Sequence, residues 1–235
     1  ATREGGPFWV VNNKTDSASI YTGDVGSAPL VRNRVPSVSI LNVPTLLPAP
    51  ALPSAVVANT TNDFLATFDL ALPPPPTTFI FATRNGGIDP LRNFESCTPL
   101  VLFNSGHDYT GITIGSNASG NLLFVADFKN GNIDVFDKDF NPTSVTGNFA
   151  DPTVPTNFHP FNIQNLGGSL YVTYAEFQHA FNSDRGFVRK FDTNGVRDMA
   201  FKIDNGPLAN PWGIAISPAN FGGFSNALLV GNSRL

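Results

Sequence analysis

The sequence predicts an all-β fold built from repeated antiparallel sheets, and three observations support this prediction. The 235 residues include 21 glycines and 20 prolines, while only 14% of them are charged. Short apolar runs alternate with turn-forming Gly, Pro and Asn, which is typical of many strands joined by turns. A related phrase also recurs at a constant spacing, so the sheets are expected to be copies of one unit.

The repeat is clearest in three segments that each begin a predicted inner strand. They start at residues 108 (DYTGI), 159 (HPFNI) and 210 (NPWGI), a spacing of 51 residues, and residues 52–56 form a weaker copy. Each segment is followed by an apolar strand, a turn and an outer strand, seen best at residues 122–126 and 133–137. Asn130-Gly131 and Asn194-Gly195 supply the positive-φ positions that tight turns require.

A unit of about 50 residues with several strands cannot bury both of its faces alone, so neighbouring units must stack. Radial stacking around a central channel suits four-stranded units of this size. A jelly roll or a two-sheet sandwich is the alternative, but neither accounts for a regular period. We therefore predict a β-propeller that forms a single domain over residues 1–235, with about four blades plus the start of another.

Several phrases also resemble a known family. Residues 122–128 (LLFVADF) and 130–137 (NGNIDVFD) resemble an NHL-type propeller blade. More narrowly, residues 6–10, 79–83, 160–165, 170–175 and 210–218 are similar to an uncharacterised propeller family that is often found with PEP-CTERM sorting signals. The resemblance implies a six-bladed ring and export, without an established activity. It also implies a chain truncated at both ends, in which a missing segment or a second chain completes the ring.

Composition narrows the partners and the compartment. The net charge is −4 and Lys and Arg do not cluster, which disfavours nucleic-acid binding. No apolar run reaches the roughly 18 residues needed to cross a membrane. Three sequons, at Asn13, Asn59 and Asn117, predict N-glycosylation and favour secretion. The single cysteine, Cys97, excludes an intrachain disulfide and is expected to be a buried apolar residue.

Propeller geometry predicts where a site would lie. Each inner strand begins on the face where the second strand ends, so residues at these two points should converge around one channel mouth. The polar candidates are Asn12, Asp108, Asp127, His159, Asn210 and Asn232. Their oxygen-rich set would suit Ca²⁺. Asp127 could instead bond the backbone of its own turn, and His159 could pack between blades.

Two functions follow from these residues. The first is a secreted binding or scaffold propeller without enzymatic activity, whose protein or glycan ligand occupies one face. The alternative is a metal-dependent hydrolase, lactonase or lyase, with a cation held by Asp108, Asp127, Asn210 and His159. His107, His159 and His179 lack the short spacings of zinc sites. His107 and Asp108 are adjacent, so in a strand they would point to opposite faces.

Overall fold

A computed structural model of the chain describes residues 8–12, 17–22, 31–32, 38–39, 52–65, 75–91, 102–103, 106–178, 184–204 and 206–233. These residues form β1 (Phe8–Asn12), β2 (Ser17–Thr22), β3 (Val31–Arg32), β4 (Val38–Ser39), β5 (Pro53–Ala58), β6 (Phe79–Thr83), β7 (Gly87–Leu91), β8 (Leu102–Phe103), β9 (Tyr109–Asn117), β10 (Gly120–Asp127), β11 (Asn132–Phe136), β12 (Pro142–Thr143), β13 (Phe158–Leu166), β14 (Ser169–Glu176), β15 (Phe187–Phe191), β16 (Arg197–Asp204), β17 (Pro211–Ile216) and β18 (Leu228–Asn232). One turn of 3-10 helix (Gly222–Phe224) precedes β18.

The strands form four antiparallel four-stranded sheets and one two-stranded sheet. The first blade holds β1 to β4, with β3 and β4 both pairing with β2. The second, third and fourth blades are β5-β6-β7-β8, β9-β10-β11-β12 and β13-β14-β15-β16, and β17-β18 forms the fifth sheet. The first strands of successive sheets, β5, β9, β13 and β17, pack against one another in that order. The predicted propeller, an incomplete ring of four blades plus the start of another, is confirmed.

The repeated phrase marks a bulge in the inner strand of each sheet after the first. Its pairing with the second strand skips one residue, which is Ser54 in β5, Thr110 in β9, Phe161 in β13 and Trp212 in β17. The side chain of this extra residue is turned out of the regular ladder. The Ser54 hydroxyl uses this freedom to donate to the carbonyl of Tyr109 in the next blade, at 2.5 Å. The phrase thus encodes a contact between blades.

The core lies between facing blades, so β10 is buried on both faces. Leu123 and Val125 pack toward the second blade, against Ile80 and its neighbours. Leu122 and Phe124 alternate with them and pack toward the fourth blade. This double burial explains why β10 is apolar at consecutive positions rather than at every second one.

Two further observations bear on the sequence-based expectations. None of the residues that the structure describes belongs to a helix long and apolar enough to span a membrane. Asn13, Cys97 and His179 lie outside the described residues, so the expectations about them stay predictions.

Candidate functional site

A cluster of one histidine and two aspartates lies at one end of the third blade. His107 precedes β9, Asp127 ends β10 and Asp134 lies in β11. The Nδ1 atom of His107 is 2.6 Å from Oδ2 of Asp127 and 3.1 Å from Oδ2 of Asp134. One ligand atom from each of the three residues lies within 4.8 Å of the others. We call these three residues the His107 cluster.

Asp127 has two functions in this arrangement, one for each carboxylate oxygen. Oδ1 accepts hydrogen bonds from the backbone N–H groups of Asp108, Lys129 and Asn130, at 3.2, 3.1 and 3.3 Å. The bonds from Lys129 and Asn130 confirm the alternative in which Asp127 bonds the backbone of its own turn, because they hold the connection between β10 and β11. Oδ2 is directed away from the backbone and faces His107 and the amide of Asn130.

Asp134 is partly buried and lies near the carboxylate of Asp127. Burial first, and then the nearby charge of Asp127, raise the pKa of Asp134 above its usual range. The hydroxyl of Tyr109 donates a 2.8 Å hydrogen bond to Oδ2 of Asp134. Burial of that phenol, together with the Asp134 charge, raises the pKa of Tyr109 far above the physiological range, so the hydroxyl stays a donor.

The positively charged side chain of Arg84 pairs with Asp108 and not with the His107 cluster. Arg84, in the turn after β6, binds the carboxylate of Asp108 through Nε at 2.9 Å and Nη2 at 2.5 Å. Asp108 therefore joins the second and third blades instead of facing Asp127. In the part of the chain that the structure describes, His107 is the basic side chain that pairs with Asp127 and Asp134.

Asp134 occupies a position that is polar in every four-stranded blade. In the second, third and fourth blades, the residues that pair with the same point of the second strand are Asp89, Asp134 and Arg189, and Ser19 pairs in the same way with β1 of the first blade. Ser19 and Asp89 are 4% and 1% exposed, and Arg189 is fully buried. This repeated polar position was missed in the sequence, although the phrases Ile88-Asp89, Ile133-Asp134 and Val188-Arg189 carry it at the same place in three blades.

In the fourth blade, Arg189 is the centre of a buried ion-pair network. Its Nε contacts Oδ2 of Asp151 at 2.5 Å, and Nη2 contacts Oδ1 of Asp204 at 2.6 Å. The other oxygen of Asp151 accepts from Nη1 of Arg197 at 2.6 Å. Burial alone would raise the pKa of Asp151, but hydrogen bonds from Thr153 and Arg189 outweigh it and lower the pKa below the usual value.

A cavity of about 340 Å³ lies between the third and fourth blades, and Asp151 of the ion-pair network forms part of its lining. Its polar lining includes Asn130, Asn132, Asn148, Thr156 and His159, and its apolar lining includes Phe149, Phe158 and Tyr174. Asp151 is the carboxylate of the described lining, and both of its oxygens are bound by arginines. We call this cavity the interblade cleft.

The remaining predicted site residues have local partners. His159 is stacked on Phe177, with ring centroids 4.4 Å apart, and its Nδ1 donates to the carbonyl of Phe128 at 2.7 Å. This geometry supports the packing role for His159. Asn232 bridges the backbone of Ala209 and Pro207, at 3.0 and 2.7 Å.

The two other asparagines of the predicted set also lie in their own blades. Asn12 donates to the hydroxyl of Ser19 at 2.8 Å. Asn210 is fully buried, and its carbonyl accepts from the backbone N–H and the hydroxyl of Ser233 at 3.0 and 2.9 Å. A ligand ring built from the six predicted residues stays a prediction. Asp108 and His159 do not belong to the cluster of ionisable ligands around Asp127 that the described residues form.

The sequence analysis did not place His107 with Asp127 and Asp134, although the structure brings the three side chains together. His107 and Asp108 precede β9, so the alternation of side chains along a strand does not apply to them. Their side chains do diverge, since Asp108 binds Arg84 while His107 turns to Asp127. The ligand partners of His107 come from β10 and β11, which a search for short histidine spacings could not find.

The sequons differ in their accessibility. Asn59 is fully buried, and its Nδ2 atom donates to the carbonyls of Asp63 and Thr77 at 2.9 and 3.1 Å. This burial contradicts the prediction of a glycan on Asn59 in the folded chain, because the glycan would be attached at this nitrogen. Asn117 is half-buried at the tip of the β9–β10 hairpin, and glycosylation there stays a prediction.

Two uncharacterised viral proteins are similar to the chain in sequence. No protein-family model matches the chain. An uncharacterised protein of Acanthamoeba polyphaga mimivirus is 29% identical over 250 residues, covering 96% of this chain and 60% of that protein. A second uncharacterised protein of the same virus is 27% identical, covering 97% of this chain and 57% of that protein. The chain thus spans less than two thirds of the length of these relatives.

Among solved structures, the chain is similar to a streptogramin B lyase. The superposition has a TM-score of 0.54 at 17% identity and covers 100% of this chain and 82% of that chain. At this level of identity the likeness concerns the fold. Together with the blades described above, it establishes that the chain is a β-propeller.

Proposed function

We propose that the chain is a binding propeller that holds a neutral, hydroxyl-rich ligand such as an oligosaccharide in the interblade cleft. The observation that carries this proposal is the chemistry of the lining. Asparagine amides and a threonine hydroxyl lie beside aromatic rings, in a cavity of about 340 Å³. Pockets of this size, with a few polar groups among aromatic side chains, are typical ligand sites.

The charge of the cleft supports a neutral ligand. Asp151 is bound by two arginines, and the described lining contains no lysine or arginine side chain. A charged ligand would therefore meet no free counter-charge in the cleft. Amides both donate and accept hydrogen bonds, which matches the hydroxyl groups of a sugar. Asn148 is the amide that the test addresses, because Nδ2 of Asn130 and of Asn132 already donate to Asp127 and Asp134.

Binding to an array of neutral oligosaccharides tests this function, followed by calorimetry with the strongest ligand. Asn148→Gly removes one lining amide, and glycine accepts the left-handed backbone at this position (φ 52°) without strain. We expect at least a fivefold loss of affinity, corresponding to one lost hydrogen bond of about 1 kcal/mol. Asn220→Ala, at an exposed position outside the cleft, is the control. Failure of every neutral oligosaccharide to bind would refute the proposal.

The proposed setting is extracytoplasmic, as the sequons at Asn13 and Asn117 and the resemblance to exported propellers suggest. The fifth sheet also supports completion of the ring by a further segment or a second chain. Its side chains Ile216 and Leu229 are 44% and 40% exposed, unlike the buried core positions of the other blades. Light scattering distinguishes the two forms of completion, because a monomer at high concentration excludes the second chain.

A second candidate function is metal-dependent hydrolysis or elimination. It is favoured by the His107 cluster and not by the ligand set that the sequence predicted. Such activity requires a bound cation with an open coordination position for water or substrate. Turnover of lactone or ester substrates that is lost in Asp134→Asn would support it. Turnover that survives this substitution would exclude the cluster as its centre.

A further inference from the structure

We infer that the His107 cluster is a binding site for a divalent transition-metal ion of the Zn²⁺ or Mn²⁺ class. The three residues that would bind the ion come from three consecutive pieces of one blade: the segment before β9, the end of β10 and the middle of β11. The cluster adjoins the interblade cleft, because Asn130 and Asn132 of the cleft lining donate to Asp127 and Asp134. Its centre is on the other side of the third blade, where Tyr109, which bonds Asp134, packs toward the second blade.

The separations within the cluster are close to those between ligands of one ion. Metal bonds of about 2.1 Å place neighbouring ligand atoms roughly 3.0 to 3.4 Å apart. The 3.1 Å between His107 and Asp134 lies in this range, and the 2.6 Å between His107 and Asp127 would open by about half an ångström. A small rotation of the imidazole, which is 24% exposed, is sufficient for this change.

The cluster gathers carboxylate groups around a point that Arg84 does not reach. Two carboxylates converge on one imidazole nitrogen, and Arg84 is committed to Asp108. A divalent ion bound at this point would accept one oxygen from each carboxylate and the imidazole nitrogen.

The surroundings orient the ligands as metal sites require. Three backbone N–H groups fix Oδ1 of Asp127, while Oδ2 faces His107 and accepts a 2.6 Å hydrogen bond from the Asn130 amide. The Tyr109 hydroxyl and the Asn132 amide hold the two oxygens of Asp134, at 2.8 and 2.5 Å. Such outer contacts fix the geometry and strengthen the ligands. Asp134 is 20% exposed and Asp127 is fully buried, so an ion can enter from one side.

The donor set selects the class of metal. Imidazole nitrogen suits Zn²⁺ and other transition metals, whereas Ca²⁺ takes six to eight oxygen ligands. One nitrogen and two carboxylates give three protein ligands, which is the number that sites with an open position contain. The Ca²⁺ expected from the sequence is therefore replaced here by a transition metal at a different ligand set.

Competition with a chromogenic chelator tests the site, using the purified chain and Zn²⁺, Mn²⁺ or Ca²⁺ alone. We expect one equivalent of Zn²⁺ or Mn²⁺ to bind, with Ca²⁺ much weaker. His107→Gln and Asp134→Asn should each weaken binding more than about tenfold, since even outer-shell changes cost 10- to 100-fold. Asp139→Asn is the control, because this exposed aspartate of the same blade pairs with Lys138 and lies outside the cluster.

Two readouts guard against misfolding of the variants. Thermal unfolding without metal shows whether each variant is folded, and added Zn²⁺ should raise the melting temperature of the wild type but not of Asp134→Asn. Visible absorption of the Co²⁺ form should change when His107 is replaced. A wild type that binds neither Zn²⁺ nor Mn²⁺, binding that both variants retain, or a preference for Ca²⁺ would each overturn the proposal.

Discussion

The buried network of the fourth blade allows a sharp stability prediction for Asp151→Asn. Arg189 and Asp151 have side chains that are 0% and 2% exposed, and they lie 2.5 Å apart. Asp151 also holds Arg197, whose side chain is 7% exposed. The substitution keeps the shape of the side chain and removes its negative charge. The buried guanidinium groups of Arg189 and Arg197 then lose the carboxylate that both of them contact.

The expected size of the effect follows from the partners that remain. Breaking a buried ion pair from one side costs about 3 to 5 kcal/mol. Arg189 keeps Asp204 and the carbonyls of Val188 and Ile203, so the lower end of this range applies. We expect Asp151→Asn to lower the free energy of unfolding by about 3 kcal/mol, which corresponds to a fall of roughly 6 to 12 °C in melting temperature.

Urea unfolding followed by fluorescence, together with calorimetry, measures this change. Asp198→Asn is the matched control, because its exposed pair with Lys190 at 3.0 Å should contribute less than about 1 kcal/mol. The same pair of variants should differ in pH dependence. The pKa of Asp151 is lowered in the folded chain, so its contribution is present above about pH 4 and is lost as the pH falls below this value.

Asp151→Asn should therefore flatten the loss of stability in acid, while the control should leave most of it in place. The reasoning is refuted if Asp151→Asn costs no more than Asp198→Asn. It is also refuted if the wild type and Asp151→Asn lose stability in parallel below pH 4.

Two further predictions concern blade contacts and modification. Gly111→Ala should destabilise the fold by more than about 2 kcal/mol, because the new Cβ would lie 2.7 Å from the backbone nitrogen of Ile163. Gly223→Ala is the control, because its Cβ would meet nothing within 4 Å. Equal urea midpoints for the two variants would contradict this prediction. After expression in a glycosylating host, mass spectrometry should find Asn59 unmodified in the folded protein. Of the two sequons that the structure describes, Asn117 is the one expected to carry a glycan. A glycan on Asn59 would show that modification precedes folding of the second blade.

Much of the fold could be predicted because its signals are local. The phrases that begin at residues 108, 159 and 210 each encode an inner strand with a bulge, and the following apolar run encodes a strand buried on both faces. The Asn-Gly pairs fix the turns beside them, as the left-handed φ of Gly131 and Gly195 shows. Repetition then required that equivalent sheets stack, and this was enough to specify a propeller.

The candidate site could be predicted only in part. Asp127 was recognised from its place after a strand, but its partner His107 was set aside on an argument that holds only within strands. Asp134 is an ordinary alternating residue in the phrase NIDVF, and only comparison with Asp89 and Arg189 marks its position as polar in several blades. The sequence pattern identified the turn after β10 as part of the site, but it did not show that His107 and Asp134 meet Asp127 there.

The sequence by itself determined the strands and their grouping into blades, because each depends on residues that are neighbours along the chain. Only the tertiary structure decided which charges meet. Asp151 and Arg189 are 38 positions apart, and Arg84 reaches Asp108 across 24 positions between two blades. Such contacts depend on how neighbouring sheets twist and on the path of the loops between them, and short-range periodicity carries no information about either.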